Sequence, residues 1–296
     1  MTLRPIKKYF VCSDIHGFYK EWMASLKKVS FDKDNPNHYL IVLGDIFDRG
    51  LETWKIYRFL KDFPQERLIL VKGNHEDLLI NLVKKQYPAS YDFSNGTYQT
   101  LLTLSKDPRK VEQEWILSHI NEYEDTHEMY VEANNIYQNS YKKLFNNKKL
   151  NEIIEWLNSP IWKDYYELGK YIFVHSFIPL RILNPAFMTV EYNPNWRNDS
   201  TEAEIFESKW DCPYRLFLAG LFDEEIRQGK ILVCGHWHTS DFYNELLYKD
   251  NPEKQLDINT DNPIFISKKY PNLIGIDACT ALTHKVNVLI IDETEI

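Results

Sequence analysis

The stretch YLIVLGDIFDRG, residues 39–50, decides the fold, because an apolar run of strand character ends abruptly in Gly-Asp and further charged residues. The same pattern occurs on both sides of it, as YFVCSD at 9–14 and RLILVKGN at 67–74. Segments between these runs carry apolar residues at helical spacing, such as ETWKIYRFLKDF at 52–63. This alternation of strand and helix predicts an α/β fold with parallel strands covered by helices.

The rest of the chain divides into a polar, aromatic segment and a second set of strands. Residues 86–165 carry tyrosines at helical spacing and predict a mainly helical insertion. Apolar runs of strand character follow at 170–175, 230–235, 272–277 and 285–292. We therefore predict a single domain over residues 1–296 that contains the insertion.

Composition excludes several classes of protein. The chain has 296 residues, 44% of them hydrophobic, which is enough to bury a core without disulfides. Its four cysteines form no C-x-x-C pair, so reduced thiols and a cytoplasmic location are expected. We expect no signal peptide and no membrane span, because no apolar run approaches ~18 residues. The net charge of −8 argues against broad binding of nucleic acid. The oligomeric state stays open.

Residue types that commonly bind metals follow five of the predicted strands. Open α/β sheets bind ligands at the carboxyl ends of their strands, so these distant segments are expected to meet. In two segments the candidates are two residues apart, and in extended chain such residues face the same way. The candidate ligands are Asp14, His16, Asp45, Asn74, His175, His236 and His238.

Each of these segments is weak evidence alone. A single Asp-x-His or Gly-Asn-His-Glu also occurs in ordinary turns, but five such segments at strand ends favour a metal centre. The remaining histidines are expected on the surface or in packing. They are His38, His119, His127 and His284.

The segments SDIHG (13–17), GDIFDRG (44–50) and GNHE (73–76) resemble the calcineurin-like metallophosphoesterase superfamily. The Asp-Arg-Gly and the Glu after Asn-His resemble its phosphoprotein phosphatase branch in particular. That branch includes Ser/Thr protein phosphatases and diadenosine tetraphosphatases. The segments GHW (235–237) and GIDACTALTHKVNVLII (275–291) resemble later parts of the family, including a final β-hairpin. The resemblance implies a four-layer α/β/β/α sandwich.

The resemblance also implies two adjacent divalent metal ions. Asp14 and His16 would bind the first ion, and Asp45 would bridge both. His238 would complete the first site. The phosphoprotein phosphatase branch usually lacks this second histidine, whereas the wider superfamily has it as Gly-His-x-His.

The second ion would be bound by Asn74, His175 and His236, again by resemblance. The whole ligand set consists of carboxylate, imidazole and amide groups without a thiolate. This set suits Mn, with Fe, Zn or Co as alternatives, and contains more imidazole than Mg or Ca normally takes.

Catalytic roles follow for the remaining charged residues. A hydroxide bridging the two metals is the expected nucleophile, and His75, beside a predicted ligand, is the expected general acid. The resemblance implies that Asp48 pairs with His75 and that Arg49 binds the phosphate; a surface salt bridge is the alternative for Arg49. Arg215 follows a Trp-x-x-Pro segment at 210–213 and is a candidate for a second phosphate contact.

The predicted function is phosphoester hydrolysis dependent on two metals, most simply by a phosphomonoesterase of the Ser/Thr protein phosphatase type. A dinucleoside polyphosphate hydrolase is the alternative, favoured by Gly-His-Trp and the insertion. A phosphodiesterase or nuclease is favoured by His238 but opposed by the acidic charge. A non-catalytic binding module is opposed by the complete set of ligands. The substrate is accordingly a phosphoprotein or a nucleotide.

The aromatic residues of the insertion admit two interpretations. They could form a lid that stacks on a nucleobase, or they could be the core of the insertion itself, which helical spacing favours. The residues concerned are Tyr87, Tyr91, Phe93, Tyr98 and Trp115.

Overall fold

Strands and helices alternate from residue 8 to residue 85, as the sequence predicts. The computed structural model describes residues 6–105, 142–187 and 189–296. Its first elements are β1 (Lys8–Cys12), α1 (Tyr19–Lys28), β2 (His38–Leu43), α2 (Thr53–Lys61), β3 (Leu68–Val71) and α3 (Asn74–Lys85). The three strands pair in parallel, so their carboxyl ends lie at the same edge of the sheet.

The segment after α3 is helical over most of its described residues, as predicted. It contains α4 (Ser90–Ser94), α5 (Thr97–Leu104), a helical turn at 142–145 and α6 (Lys148–Leu157). The predicted insertion ends in a strand, because β4 (Trp162–Lys163) pairs in parallel with β3 and extends the first sheet. Trp115, His119 and His127 lie outside the described residues, so their predictions stay open.

A second sheet is built from the C-terminal half. Its region contains β5 (Tyr165–Leu168), β6 (Tyr171–Val174), β7 (Arg181–Asn184), β8 (Thr189–Glu191), α7 (Trp196–Asp199), α8 (Glu202–Ser208), α9 (Pro213–Leu218), α10 (Asp223–Arg227), β9 (Ile231–His238), α11 (Thr239–Leu246), β10 (Phe265–Ile266), β11 (Leu273–Asp277), α12 (Thr280–Thr283) and β12 (Leu289–Asp292). The sheet has the order β10-β11-β9-β6-β5, with its three central strands parallel. β7 and β8 form a separate hairpin.

The last strand differs from the sequence prediction. β12 does not form a hairpin with β11; it pairs antiparallel with β1 in the first sheet, which has the order β12-β1-β2-β3-β4. The physical reason is the position of its apolar residues. Leu289 and Ile291 face the space between the two sheets, where they extend the apolar layer begun by Tyr9 and Val11 of β1.

Alternating side chains of the strands divide the core into layers. On β2, Ile41 and Leu43 point between the two sheets, whereas Leu40 and Val42 face the helices on the outside of the first sheet. On the second sheet, Phe173 of β6 likewise contacts the inter-sheet layer, and its neighbours pack under the outer helices. Successive side chains of a strand point to opposite faces of its sheet. One face of each sheet therefore packs against the other sheet, and the opposite face packs against helices. The predicted four-layer α/β/β/α sandwich is confirmed.

The helices of the predicted insertion share the main core. Tyr98, Leu101 and Trp156 belong to the same apolar cluster as Phe10 of β1 and Phe47 of the loop after β2. This differs from the expectation that the aromatics form a core of their own.

Three other aromatic residues of the segment have exposed side chains: Tyr87, Tyr91 and Phe93. The sequence pattern reveals only that a helix has an apolar face, not which surface that face covers.

Two further observations concern the described residues. None of the helices within 6–105, 142–187 and 189–296 combines the length and apolar character needed to span a membrane. All four cysteines lie in these ranges and are free thiols, and three of them, Cys12, Cys234 and Cys279, are buried.

Replacement of Leu101 by Ala tests whether α5 is an integral part of the core. Its side chain is 1% exposed, so Leu101→Ala is expected to lower the free energy of unfolding by about 2–5 kcal/mol, measured by urea denaturation. Leu183 of β7 is 54% exposed, and Leu183→Ala should change the stability by less than about 0.5 kcal/mol. Equal effects of the two substitutions would contradict the assignment.

Candidate functional site

The loops that follow the parallel strands are joined by hydrogen bonds between backbone atoms. The Asp14 amide donates to Gly44 O at 3.1 Å and the His16 amide donates to Asp45 O at 2.9 Å, which joins the loops after β1 and β2. In the second sheet, the Gly235 amide donates to His175 O at 2.8 Å. The predicted meeting of segments from distant parts of the sequence is therefore observed.

A hydrogen bond between the two sheets holds Asp14 in the site. The backbone amide of His236, in β9, donates to Asp14 Oδ2 at 3.0 Å across 222 positions of sequence. Ser13 Oγ also donates to this carboxylate oxygen. Asp14 is thus held by both halves of the sandwich, with its other oxygen 3.9 Å from His16 Nε2.

The backbone of the site is strained. Left-handed φ angles between 48° and 70° occur at six of the predicted site residues: Asp14, His16, Asp45, Asp48, Arg49 and His236. Each such residue costs ~1–3 kcal/mol, and strain of this kind clusters at functional sites. The Asp14 and His16 side chains therefore face the site from a turn, not from an extended strand as the spacing suggested.

The buried carboxylate of Glu76 connects the ends of β2 and β3. It accepts backbone N–H groups from Gly73 at 2.8 Å, Asp45 at 2.9 Å and Ile46 at 3.0 Å. Because Glu76 bonds the Gly73 amide, α3 begins at Asn74. Asn74 and His75 consequently project from a rigid first helical turn.

Gly44 and Gly73 allow these two loops to touch. A Cβ atom on Gly44 would lie 2.6 Å from the Cα atom of Gly73, and Gly44 itself has φ of +79°. Any side chain at either position would separate the ends of β2 and β3.

Four side chains converge at one end of the site with unprotonated atoms directed at each other. His175 Nε2 is 2.8 Å from Asn74 Oδ1, 3.2 Å from His236 Nδ1 and 3.5 Å from Asp45 Oδ2. His175 Nδ1 lies 2.7 Å from Leu43 O, so it carries the proton and leaves Nε2 with a lone pair. Such a convergence of lone pairs suits a cation at its centre.

A second group lies on the other side of Asp45. Nitrogen or oxygen atoms of His16, Asp45 and His75 lie within 4.8 Å of one another. His16 Nδ1 is 3.1 Å from Phe47 O, which again leaves the Nε2 lone pair directed into the site. Asp45 belongs to both groups of candidate ligand atoms.

His75 and Asp48 form a buried pair beside this group. His75 Nδ1 lies 2.7 Å from Asp48 Oδ2, and the His75 backbone amide donates to Asp45 Oδ1 at 3.0 Å. Burial lowers the pKa of His75, but the carboxylates of Asp45 and Asp48 outweigh this effect and raise the pKa to about 9. The Asp48 carboxylate thus favours the protonated form of the imidazole.

The Arg49 guanidinium lies over the two imidazoles. Its Nη1 is 2.9 Å from His16 Nε2 and its Nη2 is 3.3 Å from His75 Nε2. Arg49 therefore belongs to the site and is not engaged in a surface salt bridge. Because the His16 Nε2 lone pair can serve one partner at a time, a cation bound there requires the guanidinium to turn away.

Asp277 is a site residue that the sequence analysis missed. It ends β11, is fully buried, and has its Oδ2 3.9 Å from His238 Nε2. Burial and the nearby Asp14 raise its pKa well above the ordinary value. The sequence did contain a signal for Asp277, because the apolar run at 272–277 ends in an aspartate, as the run that leads to Asp45 does. In the structure, β11 is also parallel to its neighbour β9.

His238 and Arg215 lie further from the centre. The His238 ring is partly exposed, lies between Asp277 and Asp241 at 3.9 and 4.0 Å, and belongs to neither of the two groups of converging ligand atoms. Arg215 is exposed on α9, with its guanidinium 5.8 Å from the centre of the Tyr214 ring. The metal and phosphate roles of these two residues remain predictions.

The charges of the site fit divalent cations. Burial raises the pKa of Asp14 to about 6, because an ionised carboxylate is costly to desolvate. Buried carboxylates of Asp45, Asp48 and Asp277 lie in the same region. Burial also lowers the pKa of His236 to about 3, so its imidazole is neutral and able to bind a metal. Imidazoles and crowded carboxylates together are the donors that divalent transition metals bind.

Comparison with known proteins extends these observations. A family profile described as calcineurin-like phosphoesterase matches residues 7–240. This range includes every predicted ligand and the His75–Asp48 pair, and it ends before Asp277 of β11.

Curated relatives and a solved structure are similar to parts of the chain. The symmetrical bis(5'-nucleosyl)-tetraphosphatase of Buchnera aphidicola is 39% identical over 75 residues, 25% of each chain. The asymmetrical enzyme PrpE of Bacillus subtilis is 31% identical over 109 residues, 34% of this chain and 45% of that enzyme. The matches thus span less than half of either relative.

A cold-active protein tyrosine phosphatase from a Shewanella species is similar in fold. It has a TM-score of 0.51 at 15% identity, with 98% of this chain and 76% of that chain covered.

Substitution of Glu76 by Gln tests its role in joining the loops. The amide NH2 of Gln would face a backbone N–H, so at least one buried donor loses its partner, and we expect a loss of about 1–3 kcal/mol in the free energy of unfolding. Chemical denaturation gives the value. Glu66→Gln is the control, since that side chain is 76% exposed. An unchanged stability of the Glu76 variant would contradict the role.

Proposed function

The chain belongs to the calcineurin-like phosphoesterase family, and we propose that it hydrolyses phosphoester bonds with the help of two divalent metal ions. The observation that carries this proposal is the position of Asp45. Its carboxylate contributes to both groups of converging ligand atoms, one with His16 and His75 and one with His175 and His236. A carboxylate shared by two such groups is suited to bridge two cations.

This geometry, together with the resemblance, supports an assignment of ligands to each ion. We assign Asp14, His16 and Asp45 to one ion, with His238 and Asp277 adjacent. Asp45, Asn74, His175 and His236 would hold the other. Mn suits these donors, and Fe, Zn or Co fit them as well. Bound at this position, two metal ions would acidify water and offset the charge of the phosphate oxygens.

The protein's own groups supply the remaining steps. Hydrolysis forms a bond between phosphorus and the oxygen of water and breaks the bond to the leaving oxygen, which would take its proton from His75 Nε2. Asp48 keeps the imidazole oriented and protonated through its contact with Nδ1. Arg49, released from His16 and His75, would bind two phosphate oxygens with its planar fork.

The properties of His75 favour a phosphomonoester of the Ser/Thr type as substrate. An alkoxide is a much more basic leaving group than a nucleotide phosphate, so it depends more strongly on protonation. His75 Nδ1 lies 2.7 Å from Asp48 Oδ2, and this carboxylate favours the protonated form of the imidazole. This arrangement supports cleavage of a phosphorylated hydroxyl side chain.

A dinucleoside polyphosphate is the second candidate. The Buchnera and Bacillus relatives are named as bis(5'-nucleosyl)-tetraphosphatases. In addition, Trp210 and Trp237 flank His236, with ring centroids 6.2 and 6.3 Å away, and both are partly exposed. These rings would give a nucleobase a stacking surface. The exposed aromatics near residue 90 are not needed for this purpose.

Two variants separate metal binding from proton transfer. His75→Ala is expected to retain metal and to lose rate by on the order of 10²–10⁴ on a substrate with a poor leaving group. Asp45→Asn is expected to lose bound metal together with activity, because it removes negative charge shared by both ions. Metal content by elemental analysis and rates after addition of Mn to stripped protein distinguish them. Undiminished activity of the His75 variant would refute the general-acid role.

The substrate class is tested by rates on a phosphoserine peptide and on diadenosine tetraphosphate under the same conditions. A preference for the peptide supports the phosphomonoesterase. A preference for the dinucleotide supports the second candidate, and in that case Trp210→Leu should raise the KM for the dinucleotide without a similar change for the peptide. Inactivity on every phosphoester with metal bound would reject both.

A further inference from the structure

The helix α5 begins directly against the loop that carries Asp48 and Arg49. Its N-cap is Gly96, with φ of +83°, and a Cβ atom there would lie 2.5 Å from the Arg49 backbone nitrogen. This close approach brings the first turn of α5 under the loop. The contact joins the segment that begins after α3 to the catalytic residues.

Two threonines of this first turn bond the Asp48 carboxylate. Thr97 Oγ1 donates to Asp48 Oδ2 at 2.8 Å, the oxygen that also contacts His75. Thr100 Oγ1 donates to Asp48 Oδ1 at 2.6 Å and accepts the Asp48 backbone N–H at 3.0 Å. Both carboxylate oxygens and the backbone amide of Asp48 are thereby fixed from one helix face.

An ordinary helix cap does not explain these contacts. No side chain caps the start of α5, and the two hydroxyls donate outward to Asp48 instead of serving the helix. Both threonines are fully buried, as is Asp48. Thr103, one turn further along, donates to the Thr100 carbonyl at 2.8 Å and makes the ordinary helical contact.

The support is needed because the loop is strained. Asp48 and Arg49 are consecutive residues with φ of 70° and 61°, a conformation that persists only when surrounding contacts hold it. Without the two hydroxyls, the carboxylate is free to rotate away from His75 Nδ1.

We propose that Thr97 and Thr100 are positioning residues that hold Asp48 against His75, so that α5 is part of the catalytic apparatus. The proposal rests on the proposed function in that His75 protonates the leaving group. It assigns a role to a segment whose function the sequence analysis left open. It also predicts that removal of the two hydroxyls lowers kcat more for a substrate with a poor leaving group than for one with a good leaving group.

The kinetic test uses Thr97→Val/Thr100→Val, which keeps the shape of both side chains and removes both hydroxyls. With Mn present, kcat on phenyl phosphate, a poor leaving group, should fall by on the order of 10–100-fold, and kcat on 4-nitrophenyl phosphate should fall much less. Thr97→Ser/Thr100→Ser should restore the rate. Thr103→Val is the matched control and should behave as the unmodified protein. An equal loss on both substrates, or no loss, would overturn the proposal.

A spectroscopic test is independent of turnover. In Zn²⁺-loaded protein labelled with ¹⁵N-histidine, the His75 Nδ1–H resonance is identified by its loss in His75→Gln. The double Val variant should broaden this resonance and speed its exchange with water, whereas the Ser pair and Thr103→Val should preserve it. An unchanged resonance would refute the positioning role. If the resonance responds but the unmodified protein hydrolyses no phosphoester, the proposed function fails while the positioning stands.

Discussion

The structure of the site depends on one buried carboxylate that carries no chemistry of its own. Glu76 accepts three backbone N–H groups from the ends of β2 and β3. Burial and the neighbouring Asp45 raise the pKa of Glu76 to about 7, because both disfavour its ionised form. The three hydrogen bonds fix the loop that carries Asp45 relative to the helix that carries Asn74 and His75. These contacts hold the strained backbone of the adjoining loops in place.

Electrostatics then account for the choice of side chains around this anchor. Four aspartates lie buried within one region, and in a site without counter-charges they would repel each other and lose solvation. Carbonyl groups of Leu43 and Phe47 fix two imidazoles so that each directs a lone pair inward. His75 is the exception, since its partner is Asp48 and its Nδ1 is engaged by a carboxylate. A carbonyl partner fixes only the orientation of an imidazole, whereas the Asp48 carboxylate also raises the pKa of His75.

Much of this arrangement could be predicted from the sequence. The apolar runs gave the main strands and the α/β class, because strands buried on both faces read as continuous apolar stretches. The resemblance supplied the sandwich and the pairing of Asp48 with His75. The prediction for Asp14 and His16 reached the right region for the wrong reason, since left-handed turns, not extended chain, orient them.

Other features depend on long-range contacts that a local pattern does not contain. The pairing of β12 with β1 joins residues at opposite ends of the described chain. The bonds from Thr97 and Thr100 to Asp48 cross about fifty positions, and threonines in an apolar helix look like ordinary packing residues. Asp277 was missed although it follows the same rule as the other strand ends, because a single acidic residue after a strand is weak as a motif.

The hydrogen bond from His236 to Asp14 bears on the order of folding and metal binding. It spans 222 positions, so the site exists only after the two sheets have docked. Contacts of such long range form late in folding, and a partly folded chain would offer metal ions only fragments of the ligand set. Metal would then bind the finished protein in preference to its precursors, and its free concentration would shift the balance between folded and unfolded chains. Metal supply would thus influence the abundance of the protein as well as its activity.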